Sequence, residues 1–206
     1  MTATHPLWRP FDPPDEEAIA AVRLPSWQPE QITVVDPDPA WPAEFERVRA
    51  MVEEALGDDA LDVVHVGSTS VPGLAAKDVI DAELTVADSA DEDAYVPRLE
   101  AAGFQLRIRE PDWEEHRLLR HHDPRTNLHV FSAGAVEPQR TTAFRDWLRA
   151  HPDDRDAYAA HKRQVATQGF TDGMLYNNAK AAFVYDLYEK IFAADPRHPH
   201  DPHPRG

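Results

Sequence analysis

Residues 65–86 carry the side chains best suited to chemistry: H-V-G-S-T-S-V-P-G-L-A-A-K-D-V-I-D-A-E-L-T-V. Asp81 and Glu83 fall on a β-type run, residues 79–86. Residues two apart on a strand share a face, so both carboxylates project from one side. Side by side they repel each other unless water or a cation reaches them. Paired oxygen donors suit Mg²⁺, which commonly arrives with substrate phosphates. Ahead of them lies a small-residue turn, Gly67, Ser68, Thr69 and Ser70. Gly67 allows close backbone approach to a ligand, and Ser68 adds a hydroxyl beside any amides the turn exposes. The stretch reads as a phosphate-facing turn followed by a metal-holding strand. Taken singly, a Gly-Ser turn is usually only a turn, and an acid-x-acid strand is usually a solvated face.

Together, with twelve residues between Ser68 and Asp81, these features match the nucleotidyltransferase superfamily pattern. The string G-S-T-S-V-P-G-L-A-A-K followed by I-D closely resembles the GrpB family within that superfamily. The resemblance runs over residues 32–192. It takes in Asp36-Pro37 with Trp41-Pro42, the string N-L-H-V-F from Asn127, and F-R-D-W-L-R-A-H-P from Phe144. Tyr158 with Lys162 and Tyr176 with Lys180 also match. The chain departs from the usual string at Asp78, where a proline commonly follows the lysine, and at Thr141, where a histidine often follows the arginine. Asp78 adds negative charge near the expected metal site.

That resemblance implies Mg²⁺, with Mn²⁺ as the alternative, held by Asp81 and Glu83 against a nucleoside triphosphate. His129 stands where related folds commonly put a third carboxylate. Imidazole is a poorer ligand for Mg²⁺ and a better one for Mn²⁺ or Zn²⁺. His129 therefore shifts the metal preference, binds substrate, transfers a proton, or is a satisfied core histidine. His65, His116, His121 and His122 are weaker candidates. Tyr158 and Lys162 share one helix face, as do Tyr176 and Lys180. Lys180 lies beside the apolar line of Ala179, Phe183, Leu187 and Ile191, and an inward lysine needs an anionic partner. Arg140 matches a family position that could contact phosphate, and Lys77 either joins it or balances the acids.

Three functions follow as expectations. The first is a metal-dependent nucleotidyltransferase using a nucleoside triphosphate on a small-molecule acceptor. The second is an ATP-dependent ligase or phosphoryl transferase on the same fold. The third is a non-catalytic nucleotide-binding regulatory module, which the missing third carboxylate and Asp78 favour.

These residues need elements to position them. A first strand is expected over residues 32–35 and a helix over 41–56, with Pro42 in its first turn and Gly57 ending it. Strands are expected over 61–66, 79–86, 105–109, 116–120 and 127–131, with a helix from about 88 to 102. Helices over 138–150, 153–168 and 173–193 close the chain. The layout is α+β, a nucleotidyltransferase-like mixed β-sheet with flanking helices and a helical C-terminal segment. Residues 1–30 form a Pro- and acid-rich arm, with a short helix over residues 18–22. It packs on the domain or on a second subunit, which would make a homo-oligomer. Residues 31–194 form the domain, and residues 195–206 a His/Pro tail expected to be disordered.

The chain has 206 residues and no cysteine, which excludes disulfides and thiolate metal sites. No apolar run approaches a membrane span and no signal layout is visible, so a soluble cytoplasmic protein is expected. A formal charge of −16 opposes binding nucleic acid over a broad surface but leaves small phosphorylated ligands open.

Overall fold

The computed structural model describes residues 3–205; the first two residues of the arm and the last of the tail lie outside it. Six helices are α1 Glu16–Ala21, α2 Trp41–Leu56, α3 Val96–Ala101, α4 Glu137–Ala150, α5 Pro152–Ala166 and α6 Gly173–Ala193. Five strands are β1 Asp62–Val66, β2 Ile80–Val86, β3 Gln105–Glu110, β4 His116–His122 and β5 Arg125–Ser132. They form one mixed sheet in the order β1-β2-β5-β4-β3. Only β2 and β5 run parallel, and they sit at its centre.

The two faces of the sheet differ in kind. Ile80, Ala82, Leu84 and Val86 of β2 join Leu128 and Val130 of β5 in the main core, against Phe45, Val48 and Val52 of α2 and Leu99 of α3. The alternate residues, Asp81, Glu83, Asn127 and His129, line the opposite face, with Asp81 opposite Asn127 and Glu83 opposite His129. Strand periodicity alone makes that separation. A second cluster, in which Leu148, Tyr158 and Leu187 meet Val71 and Leu74, seats α4, α5 and α6 beside the turn after β1.

Three local expectations are corrected. Residues 32–35 form no strand; Val35 makes one isolated bridge to Ala76. Pro37 and Pro39 follow at once and leave no room for a ladder. The helix expected from residue 88 is a 3-10 turn, Glu92–Ala94, and then α3, because Pro97 suits only a first helical turn. The tail, for which disorder was expected, lies against α6: the His203 amide donates to Glu189 at 2.6 Å, and His200 pairs with the same carboxylate at 3.1 Å. Trp8 of the arm donates to the other Glu189 oxygen at 2.6 Å. The buried carboxylate of Glu189 thus ties both chain ends to one helix, a partner that composition cannot reveal.

The arm packs on its own domain. Ile19 is buried, Arg23 pairs with Asp172, and Arg23 bridges Ile108 on the outer strand β3. Among the described residues no helix is long and apolar enough to cross a membrane.

Candidate functional site

The turn after β1 is shaped around Asp81. Gly67 has φ +65° and ψ −168°, a region open essentially to glycine. A Cβ there would lie 2.5 Å from Asp81 Oδ2 and 2.8 Å from its Cβ. Backbone and carboxylate are thus in contact, with Oδ2 facing the turn. Asp81 Oδ1 accepts a hydrogen bond from Asn127 Nδ2 at 2.8 Å, and His129 Nε2 lies 3.9 Å away. Burial acts to raise the Asp81 pKa, but His129, the Lys77 ammonium and the Asn127 amide outweigh it and hold the group at about 2. Asp81 is a fixed anion.

Glu83 behaves differently. It is 4% exposed, and both its oxygens lie on Thr141 Oγ1 of α4, at 2.8 and 2.9 Å. That hydroxyl is also 3.1 Å from the Pro138 carbonyl, so it can donate there and accept a proton from Glu83. Burial pushes Glu83 up to about 7, Thr141 opposes that, and the charges of Glu137 and Asp81 add to it. Below about pH 7, repulsion within the acid pair is therefore relieved by a proton on Glu83. The departure at Thr141 touches this acid directly. In this arrangement Asp81 is ionised and partly exposed, while both Glu83 oxygens are engaged by Thr141.

A raised carboxyl pKa makes the folded state hold a proton that the unfolded chain has lost. The contribution of Glu83 to stability is complete below about pH 4.5 and declines as pH rises through about 7. Glu83→Gln, a neutral isostere, should match the wild type at pH 4.5 and melt higher at pH 8. A variant that melts lower at pH 8 would show an ionised, stabilising Glu83.

Three lysines converge on the one anion. Lys162 of α5 is 2% exposed, and its ammonium donates to Ser68 Oγ at 2.8 Å and to the Ala75 carbonyl. Lys180 of α6 is 8% exposed and lies 4.3 Å from the centre of the Tyr176 ring. Among the described residues no acceptor lies within hydrogen-bond distance of its ammonium. Lys77 lies over the same ring at 5.7 Å. Burial, helped by the neighbouring lysines, lowers Lys162 to about 6 and Lys180 to about 7, and Asp81 alone among their charged neighbours opposes this. Burial lowers Lys77 as well, with Asp81 opposing.

His129 is not enclosed in the core; more than a quarter of its side chain is exposed on the site face. Its Nδ1 lies 3.0 Å from Nε2 of His116, whose Nδ1 lies 2.7 Å from Glu110 Oε2. Burial pushes His116 down to about 4, so it is neutral. Glu110 then accepts from His116 Nδ1–H, His116 Nε2 accepts from His129 Nδ1–H, and His129 Nε2 faces the site, 3.9 Å from Asp81 Oδ1.

Several expected phosphate contacts are committed elsewhere. The Arg140 guanidinium pairs with Glu137 at 2.9 Å, donates to the Leu7 carbonyl and lies over the Tyr188 ring. Its charge is matched away from the lysines. Ser70 Oγ donates to the Gly67 carbonyl at 2.6 Å and Thr69 Oγ1 pairs with His65 at 3.0 Å, so both hydroxyls hold the turn. The Tyr176 hydroxyl donates to the Lys162 carbonyl at 3.4 Å, and its ring face meets the lysines. Asp78 accepts from the Trp41 indole at 2.9 Å, which ties up one of its oxygens. The roles of Asn127, Thr141 and the His116–Glu110 pair were missed. Only strand register and helix docking bring them to the acids, and no local spacing signals either.

The GrpB protein family matches residues 31–190, which includes every lysine and carboxylate of this cluster. The chain belongs to the GrpB family. A UPF0157 protein of Halalkalibacterium halodurans is 47% identical over 88% of this chain and 94% of its own length. One from Streptomyces coelicolor is 40% identical over 80% of this chain and 86% of its own. A dephospho-CoA kinase of Mycolicibacterium paratuberculosis is 34% identical over 78% of this chain, which spans 46% of that protein. The crystal structure of the conserved GrpB protein from Enterococcus faecalis superposes with a TM-score of 0.68 at 30% identity, over 77% of this chain and 96% of that one. Membership of GrpB is consistent with the nucleotidyltransferase superfamily, and the mixed sheet with its helical C-terminal segment matches the expected architecture.

The fit of Asp81 against Gly67 makes a testable point here. Gly67→Ala should cost on the order of 1–3 kcal/mol in backbone strain and further displace Asp81. Gly134 has φ +87° with nothing near its missing Cβ, so Gly134→Ala isolates the strain. Equal losses of melting temperature in the two variants would remove Asp81 from the account.

Proposed function

We propose that this GrpB protein binds the phosphates of a nucleoside triphosphate at the lysine cluster and transfers a nucleotidyl group to a small-molecule acceptor. The supporting observation is the imbalance at the site: three buried or half-buried lysines around one fixed carboxylate. Such cations are costly to bury without counter-charge, and a polyphosphate supplies it. The Ser68 hydroxyl, which accepts from the Lys162 ammonium, belongs to the same cluster.

Divalent metal, Mg²⁺ or Mn²⁺, would neutralise phosphate oxygens there. On this reading Asp81 would hold it, and Glu83 only after losing its proton and its Thr141 contacts. The chain's own residues do the rest. Lys162 and Lys180 take up the negative charge of the leaving phosphates. His129 Nε2 accepts the acceptor's proton while its oxygen forms a bond to the α-phosphorus. The bond from that phosphorus to the bridging oxygen breaks, and pyrophosphate leaves with the electron pair. Positioning and charge stabilisation carry such a transfer.

A non-catalytic nucleotide-binding module is the second reading, favoured by the engagement of both Glu83 oxygens. The dephospho-CoA kinase match spans under half of that protein, and its activity is not carried over.

Calorimetry of triphosphate binding at pH 8, in buffers of different ionisation enthalpy, tests the first step. Lys162 and Lys180 are largely neutral at that pH, and an anion favours their charged forms, so binding should take up protons. Binding without proton uptake, or no binding, would overturn the reading. Release of pyrophosphate from bound triphosphate then separates a transferase from a module.

A further inference from the structure

A cleft of about 500 Å³ lies beside this site, lined by residues 27–33 of the arm and linker, by residues 77–79 just before β2, by Arg107 of β3 and by the ends of β4 and β5 that meet at their turn. One of its side chains reaches Asp81 directly. Asn127 lines the cleft, donates to Asp81 Oδ1 at 2.8 Å, and accepts from Arg120 Nε at 3.2 Å. Lys77 lines it as well and acts on Asp81 from the same side.

The charge in the cleft is opposite to that of the protein. In a chain of formal charge −16, the lining holds Lys77, Arg107, Arg120 and Arg125 against Glu30 and Asp78. Glu30 is shared by Arg120 and Arg125, and one Asp78 oxygen is on the Trp41 indole. Lys77 and Arg107 have no carboxylate among these partners. Arg107 Nε is buried without a hydrogen-bond partner, and burial with the Arg120 charge lowers its pKa. Trp27 stands in the same lining, with the Arg23 guanidinium 4.3 Å from its ring centre. Clustered guanidinium groups select oxyanions with two adjacent oxygens.

We infer that this cleft is the subsite for the second substrate, a small molecule bearing a phosphate or carboxylate group, held with its nucleophile past Asn127 toward Asp81 and His129. The role of acceptor rests on the transfer reading; binding of an oxyanion in the cleft does not. Group transfer needs two substrates in contact at one point, and here two cation sets both reach Asp81, the cleft through Asn127 and the lysine cluster through its charges, with Lys77 common to both. The arm is then a working part of the site, because its residues line the cleft.

Calorimetry with glycerol 3-phosphate and with succinate distinguishes a phosphate-bearing from a carboxylate-bearing ligand, with tripolyphosphate as the probe of the lysine cluster. Arg107→Gln should weaken the better small probe about tenfold or more, the worth of one hydrogen bond to a charged group, and leave tripolyphosphate unchanged. Arg125→Gln, at a half-exposed position with little effect on folding, should weaken it in the same sense. Lys180→Met should show the reverse selectivity. Failure of both small probes to bind the wild type overturns the inference. So does loss of their binding in Lys180→Met with none in the arginine variants, since they would then occupy the lysine cluster. Binding of a small probe without binding of tripolyphosphate supports the cleft and retires the transfer reading.

Discussion

Lys180→Met should make the ligand-free protein more stable and the triphosphate complex weaker. The methionine keeps most of the apolar stem that packs beside Tyr176 and removes an ammonium that has no acceptor among the described residues. The stability gain has a pH signature. The Lys180 pKa falls from 10.5 to about 7 on folding, mainly through burial, so the wild type is penalised in full below about pH 7 and relieved as pH rises toward 10.5. Wild-type melting temperature should therefore climb over that interval, and Lys180→Met should lose part of the climb. Triphosphate affinity should drop by about 1.5–3 kcal/mol, the usual worth of a hydrogen bond to a charged group. Lys162→Met shares the affinity loss but not the stability gain, because it leaves Ser68 Oγ and the Ala75 carbonyl without their donor. A fall in stability for Lys180→Met, with unchanged triphosphate affinity, would make Lys180 a structural residue.

Asp81→Asn has the second large effect. Repulsion between neighbouring acids predicts a fold that is unharmed or steadier without this charge. The structure reverses that expectation, because Glu83 holds a proton below about pH 7 that relieves the pair, and Asp81 is the anion that favours the charged lysines. Asp81 is depressed to about 2 from 3.8, so its contribution is present above about pH 4 and lost as pH falls toward 2. The variant should lose about 1–3 kcal/mol of stability at neutral pH, the range for leaving a buried group unsatisfied, moderated by the partial exposure of Asp81. Ligand binding should split by condition. Without metal, triphosphate should bind Asp81→Asn more tightly, since one negative charge beside the phosphates is gone. With Mg²⁺, any gain the wild type shows should vanish. Equal Mg²⁺ dependence in both proteins would remove Asp81 as a metal ligand.

Much of this protein is determined locally. The apolar spacing of Phe45, Val48, Val52 and Leu56 makes α2, and Gly57 stops it. Alternation along residues 80–86 separates Ile80, Ala82 and Leu84 from Asp81 and Glu83, so the sequence alone places both acids on one face. The glycine at position 67, the family string around it and the tyrosine-lysine spacing on α5 and α6 are also readable in the chain. Each depends on neighbours a few residues away, which is why pattern suffices.

What the two acids do was decided by tertiary structure. They are chemically alike and two residues apart, yet Asp81 is held ionised by Asn127, His129 and Lys77 while Glu83 is driven toward its neutral form against Thr141. Those partners come from β5, α4 and the segment before β2, brought together by register and docking. The same is true of Arg140, whose charge is taken by Glu137 within its own helix and by the arm's Leu7 carbonyl, and of the tail, which Glu189 ties to α6. The relay from His129 through His116 to Glu110 exists only because β4 lies antiparallel to β5 with Leu118 opposite His129. Protonation state is set by solvation and by charges within a few ångströms, and those distances are properties of the packed fold.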